Sequence, residues 1–544
     1  MMKLKSLKIT VSVLLFSILL SMFVLYTPTP VSKNDVEFSA AYAAETIEAI
    51  SREPHSVFDP IAHETVRLYL KDRLETYVGA ANVTEMNYTS LELGADTEYD
   101  ISNLLAVIHG TSDTGILLVG HYDSRGHVGR DGELGRSYGA ADDGYAIATL
   151  LEIARLYADK NLTNSIYILM TDAEETGLYG AYMAATEPFM DDIGFIINVE
   201  ARGNEGPVYM FETSSNNEFV IDFYKNAKLP VSYSLATAVY TVMPNLTDFT
   251  EFLAVDKQGV NFAVLDDLYY YHTPNDNYNN INLSSIQHYG SQIVPLVEAF
   301  VYSSTYSDVN YFVGDQNQVF FTILPNVFIT YRESTMQVLH FMLLALFLGI
   351  TTLLVVKKQT SLLPIAKYIG LIFGLVAVFA IIGLYLAKLI AFIGSVPFSI
   401  TYVRMQNTEL ITLFILLSTV VALGFLYKKF VKTEENKKAL MIAGIFINLL
   451  FAILTGFALS GASFLFFVPA LFGTVSLYCL TFIKNTVGLH IALSQNILWN
   501  TLLIVPILYS LYLAITVGGL LAFMVILVIN MATVIPYFFK QIEL

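Results

Sequence analysis

Two kinds of hydrophobic spacing divide this chain. Up to about residue 330, short apolar runs alternate with amphipathic stretches, and beyond it long apolar runs follow one another. The short runs at 104–108, 116–119, 166–170, 195–199 and 260–264 end at glycine, polar or acidic residues, as buried strands do. The stretches 61–77 and 146–157 carry the spacing of helices packed on one face. Strand and helix alternating in this way predict an α/β domain over residues 45–304, a mainly parallel or mixed sheet sandwiched by helices.

The long runs predict a different solvent. Lys3, Lys5 and Lys8 precede an apolar stretch near 9–26, which we read as a retained signal anchor within residues 1–30. The Ala-rich segment at 39–44 lies too far downstream for a comfortable cleavage site. A polar-aromatic connector at 305–335 contains two strand-like pieces, 318–322 and 327–331, expected to tie the domain to the membrane. From Met336 to Leu544 the pattern predicts a polytopic α-helical membrane domain of about seven spans, near 337–356, 366–390, 409–427, 439–459, 462–483, 496–515 and 517–539.

Charge orients those spans. The loops beginning at Lys357, Lys428, Lys484 and Lys540 are basic, and the alternate loops hold little beyond Arg404. The positive-inside rule then puts both chain ends in the cytoplasm and the α/β domain outside. Lys388 lies near a span end and is expected to snorkel. The spans hold no series of acids or histidines of the kind that proton-coupled transport needs.

Composition adds three limits. With 55% hydrophobic and 14% charged residues among 544, the chain is too apolar for an ordinary soluble enzyme. A net charge of −17 argues against nucleic acid as a partner. The single cysteine, Cys479, excludes an intrachain disulfide.

The chemistry sits where strands run out. The run at 116–119 delivers His121 and Asp123, and a Gly-rich loop then leads to the acidic pair Asp142 and Asp143 before the helix that follows. The run at 166–170 leads to Glu174 and Glu175, that at 195–199 to Glu200, and that at 260–264 to a turn holding His272. In open α/β sheets ligands bind beyond the carboxyl ends of the strands. Adjacent acids there repel and call for a cation or a shared proton. His, Asp and Glu together suit zinc, and two histidines with several carboxylates suit two ions. Arg202 and the tyrosines around Tyr271 are candidates for lining a substrate pocket. His127 reads as a loop residue, and His63 lacks ligand context.

In order, H-x-D-S, G-x-x-D-D-G, D-x-E-E-x-G, N-x-E-A and Y-H-T-x-x-D resemble the co-catalytic zinc peptidases of the aminopeptidase Y, glutamate carboxypeptidase and bacterial leucyl aminopeptidase family. The layout resembles that family's membrane-anchored subgroup, which includes the endoplasmic-reticulum metallopeptidase and vacuolar membrane protease. The resemblance implies two zinc ions, with His121 and Glu200 on one, Glu175 and His272 on the other, and Asp142 between them. Glu200 stands where many members have Asp. It further implies Glu174 as general base and Asp123 as the residue orienting His121. The implied reaction is hydrolysis of short peptides, most simply by an aminopeptidase. A carboxypeptidase or dipeptidase on the same scaffold, or a non-catalytic binding or transport-associated module, are the alternatives. The expected setting is an extracytoplasmic domain on a bacterial cell membrane, or a vacuolar or reticular membrane in a eukaryote.

Overall fold

The computed structural model describes residues 2–93, 98–126, 135–240, 245–483 and 486–538. The chain separates into two compact units, Leu25–Thr330 and, together, Met1–Val24 with Tyr331–Leu544. His127, Lys484 and Lys540 lie outside the described residues.

The first unit is built on a seven-stranded sheet. In chain order its strands are β1 (Val83–Thr89), β2 (Asp100–Ile108), β3 (Gly110–His121), β4 (Leu162–Thr171), β5 (Ile193–Ala201), β6 (Glu205–Thr213) and β7 (Gly259–Asp266), arranged β1-β2-β4-β3-β5-β7-β6. The four inner strands β4, β3, β5 and β7 are mutually parallel, and β1, β2 and β6 are antiparallel to their neighbours. The sheet is therefore mixed, with a parallel centre. That centre is apolar on both faces, as buried parallel strands are: Ile116 to Val119, Ile166 to Met170 and Phe195 to Ile197 are wholly or almost wholly enclosed. One face packs against the helices Ala40–Ile50, Gly144–Tyr157 and Leu283–Val301 in a single large core. A smaller cluster, including Leu117, Val119, Phe249 and Phe252, covers the other face.

The unit extends past both ends of the expected 45–304. Ala40, Ala43, Phe312 and Phe320 belong to its main core, so residues near 40 and those of the connector are held there by burial. The connector forms the two-stranded sheet of β8 (Gln318–Leu324) and β9 (Val327–Arg332). Backbone bridging of Tyr233 to Phe321 attaches β8 to the unit.

The second unit is helical. After the helix Met2–Ser21 come Glu333–Val356, Leu362–Ile393, Glu409–Phe430, Glu434–Ala458, Phe464–Phe482, Thr486–Ile515 and Leu520–Val534. Six stretches among the described residues are long and apolar enough to cross a membrane. The last of them, His490–Val534, takes in two helices separated by the 3-10 turn Thr516–Gly519, which accounts for the difference from seven expected spans. Lys388, near the end of its helix, has its ammonium over the rings of Tyr385 and Phe398, 5.8 and 5.5 Å from their centroids.

Candidate active site

All four parallel strands end at the same edge, and their last residues lead into the acidic and histidine segments. β3 ends at His121, while Gly120 before it lies against the start of the helix Gly144–Tyr157. A Cβ at Gly120 would stand 2.6 Å from that of Ala146 and 3.2 Å from Asp143 Oδ2, so only glycine permits the approach. That closeness lets the His121 amide donate to Asp143 Oδ2 at 3.2 Å. β4 leads into a sharp turn in which Ala173 takes a left-handed conformation (φ 60°), and Glu174 and Glu175 open the short helix that follows. His272 is also left-handed (φ 56°). Non-glycine residues in this region are strained, and such strain gathers at functional sites.

Two buried groups of ligand-type atoms result, His121 with Asp143 and Glu200, and Asp142 with Glu175 and His272. Asp142 lies between them. Its Oδ1 is 3.5 Å from His121 Nε2 and its Oδ2 is 3.2 Å from His272 Nε2. Glu175 Oε1 is 3.0 Å from His272 Nε2, and Glu200 Oε2 is 3.8 Å from His121 Nε2. Asp143, left without a role by the motif reading, joins the first group.

The electrostatics of this cluster call for cations. Burial holds the Glu174 carboxyl well above its usual range; His121 opposes this, and the charges of Glu175 and Glu200 add to it. Burial likewise pushes Glu200 up to about 8 and Asp248 up to about 7. Asp142 goes the other way: burial would raise it, but the pairing with His121 and His272 outweighs that. Asp142 Oδ2, Asp143 Oδ1 and Glu175 Oε1 are buried and accept no hydrogen bond among the described residues. Orphaned buried oxygens grouped with imidazole nitrogens are the donor set that zinc takes, so the residues present fit the metal.

The supporting shell differs in part from the expected one. His121 Nδ1 is 2.9 Å from the main-chain oxygen of Asp123 and 3.5 Å from its carboxylate. That carboxylate instead accepts from the amides of Glu174 (3.0 Å) and Glu175 (3.3 Å), fixing the turn that presents both acids. Arg125, which the motif reading passed over, donates through Nη1 to the Glu175 carbonyl at 2.8 Å and to Oε2 at 3.0 Å. Asp276 accepts from the Ala141 amide (2.7 Å), the Ser137 hydroxyl (2.8 Å) and the Asp142 amide (3.3 Å), joining the His272 loop to the Asp142 loop. Asn198 donates to Glu200 Oε1 at 2.9 Å and to Asn261 Oδ1 at 3.1 Å, and Asn261 donates to Glu212 at 3.0 Å. His63 lies behind the site with Nε2 2.8 Å from Asp172 Oδ1. Tyr271 stacks on His272 with ring centroids 3.6 Å apart. The charge of Arg202 acts on Tyr271 and on Tyr240, which places it on the same side.

Residues 103–297 match the sequence family described as Peptidase family M28, which bears out the family resemblance carried by the motifs. The vacuolar membrane protease of Candida dubliniensis is 27% identical over 253 residues, 44% of this chain and 26% of the relative. The vacuolar membrane protease of Schizosaccharomyces pombe is 27% identical over 304 residues, 52% of this chain and 34% of the relative. The chain thus spans about a quarter to a third of the length of these relatives. Among solved structures, a Zn-dependent exopeptidase from Parabacteroides distasonis is 18% identical, covering 48% of this chain and 99% of its own, with a TM-score of 0.39. A glutaminyl cyclase from an Acidobacteriales bacterium is 16% identical, covering 50% and 98%, also with a TM-score of 0.39.

Proposed function

We propose that the unit carrying the Peptidase family M28 match is a two-zinc exopeptidase, an aminopeptidase of short peptides, held at a membrane by the helical unit. The observation that carries the reading is Asp142, with one carboxylate oxygen toward each histidine and three further carboxylates, Asp143, Glu175 and Glu200, completing two groups. His121 and Glu200, joined by Asp143, would hold one ion, and Glu175 and His272 the other. Zinc bound there supplies Lewis-acid polarisation of a carbonyl and lowers the pKa of water toward about 7.

The remaining chemistry belongs to side chains. Glu174 is half-buried beside both groups, and its carboxyl is held above the usual range chiefly by burial. A base tuned upward in this way accepts a proton from the attacking water and returns it to the departing nitrogen. Asp123 fixes the Glu174 amide, so the base keeps its place through the transfer. Tyr271, braced on His272, and Arg202 would line the pocket for the peptide. The loop charges support a cytoplasmic face on the opposite side of the bilayer from this unit, and the membrane proteases among the relatives support the setting.

The test uses the full chain in nanodiscs with matched dipeptides carrying free or N-acetylated amino termini. Cleavage of the free-amine set alone, lost in Glu174→Ala with two zinc ions per chain retained, is expected. Cleavage of both sets would replace the aminopeptidase reading with a carboxypeptidase or dipeptidase. Zinc bound without cleavage of either would leave a binding module.

A further inference from the structure

Glu200 reaches the site on a longer side chain than Asp142 or Asp143, with one more rotatable bond to hold in a single orientation. Its strand is otherwise apolar: Ile193, Phe195, Ile196, Ile197 and Val199 are all enclosed. Asn198 breaks that run two residues before Glu200, which puts both side chains on one face of β5. Ile196, two residues further back on the same face, belongs to the smaller apolar cluster with Phe249 and Phe252.

The polar interruption continues sideways across the sheet. Asn261 lies directly opposite Asn198 on β7, and Glu212 directly opposite Asn261 on β6, the edge strand. Asn198, Asn261 and Glu212 are all buried. Both amide hydrogens of Asn198 are used: Nδ2 donates to Glu200 Oε1 at 2.9 Å and to Asn261 Oδ1 at 3.1 Å. So are those of Asn261, whose Nδ2 donates to Glu212 Oε2 at 3.0 Å and to Thr247 Oγ1 at 2.9 Å. Thr247 caps the helix Asp248–Ala254. Each amide is thus fixed by two acceptors, and the row runs unbroken from the site to the edge strand. It takes up Glu200 Oε1 and leaves Oε2, 3.8 Å from His121 Nε2, toward the site.

Stability does not account for this row. Apolar side chains would fill the three opposed positions without burying polar atoms, and Asn198 Oδ1 accepts no hydrogen bond among the described residues. We propose that Asn198, Asn261 and Glu212 are positioning residues that hold Glu200 as a one-oxygen metal ligand. With Oε1 tied, the carboxylate neither turns to offer both oxygens nor swings away. The tie is only as firm as Asn261 and Glu212 make Asn198, so Glu212 acts on the His121 side of the site from two strands away. The proposal rests on the two-zinc reading and concerns one of its two ions.

The experiment uses the full chain in nanodiscs, stripped of metal and titrated with zinc against a competing chelator. A parallel titration uses cobalt(II), whose visible absorption reports ligand geometry. The wild type is expected to take two ions. Asn261→Leu should weaken one ion about 10- to 100-fold, leave the other at wild-type affinity and change the cobalt absorption. Glu212→Leu should do the same more mildly. Glu212→Gln keeps an oxygen for Asn261 and should return both readouts to wild-type values. Unchanged affinity and absorption in both leucine variants overturns the proposal and leaves the two-zinc reading standing. Equal weakening of both ions does so too, since it marks general loosening of the fold, as does a Glu212→Gln chain as impaired as Glu212→Leu. A wild type that takes fewer than two ions overturns the two-zinc reading and the proposal with it. If Asn261→Leu does not fold, the Glu212 pair on the edge strand decides alone.

Discussion

The two units bury polar side chains in opposite ways. In the first, the buried acids and histidines crowd the carboxyl edge of one sheet, where like charges face each other. In the second, the buried asparagines Asn448, Asn500 and Asn530 are neutral and lie on three different helices, each amide donating to a main-chain carbonyl. The first arrangement is costly without multivalent cations, because several carboxylates cannot all ionise together in a low dielectric. The second is mildly costly, because each amide nitrogen already has an acceptor and no charge is buried with it. The number of charges gathered at a site thus tells what kind of ligand can stabilise it.

Four perturbations would break or sharpen that contrast. The largest effect is expected from Glu174→Gln, which removes the base while leaving the ligand sets in place. Peptide hydrolysis should fall about 10²- to 10⁴-fold in kcat with zinc content unchanged by elemental analysis. Loss of zinc along with activity would assign Glu174 to holding metal.

Next is a pH effect in the first unit. Burial pushes Glu212 up from 4.5 to about 7, with the Asn261 hydrogen bond opposing. The folded state therefore keeps this proton longer than the unfolded chain does. The contribution is complete below about pH 4.5 and is lost as pH rises through about 7. At about 1.4 kcal/mol per pH unit the loss across the window is about 3 kcal/mol. Urea melts of the wild type against Glu212→Gln at pH 5 and pH 8 read it directly, and equal slopes in both would remove Glu212 as the cause.

Asp276→Ala should act more gently. It leaves the amides of Ala141 and Asp142 without their acceptor, and the expected result is a 10- to 100-fold weaker hold on zinc, about what supporting residues contribute. Competition with a chelator measures it. The smallest effect belongs to the second unit. Asn448→Leu removes one interhelical hydrogen bond, worth about 0.6 kcal/mol in such settings, and peptide hydrolysis should not change. A large loss of hydrolysis there would tie the two units together functionally.

Much of the first unit is legible in sequence because its signals are local. The apolar runs at 104–108, 116–119, 166–170, 195–199 and 260–264 all lie within inner or adjoining strands. β1 and β6 escape notice: both are edge strands, polar residues break the pattern of β1, and β6 opens with Glu205, Gly206 and Pro207, which read as a turn. Asp143 was visible as half of an acidic pair, but which member faces which histidine depends on backbone turns no spacing encodes. Asp276 closes the Y-H-T-x-x-D motif, but its role and that of Arg125 rest on main-chain contacts that no spacing encodes. The asparagine hydrogen bonds inside the helical unit are the least legible feature. Asn448, Asn500 and Asn530 are far apart in sequence, and each alone looks like an ordinary polar interruption of a span.

The loop-to-loop joint made by Asp276 has a consequence for exchange of backbone hydrogens with solvent. Its carboxylate receives the amides of Ala141 and Asp142, its own carbonyl receives that of Tyr138, and the carbonyl of His272 receives that of Gly135. Four amides on one loop thus answer to two residues of another, His272 and Asp276. They should trade their protons for deuterons in a single opening event, at one common rate, and a chain in which that rate splits has already let the two loops at this edge of the sheet come apart.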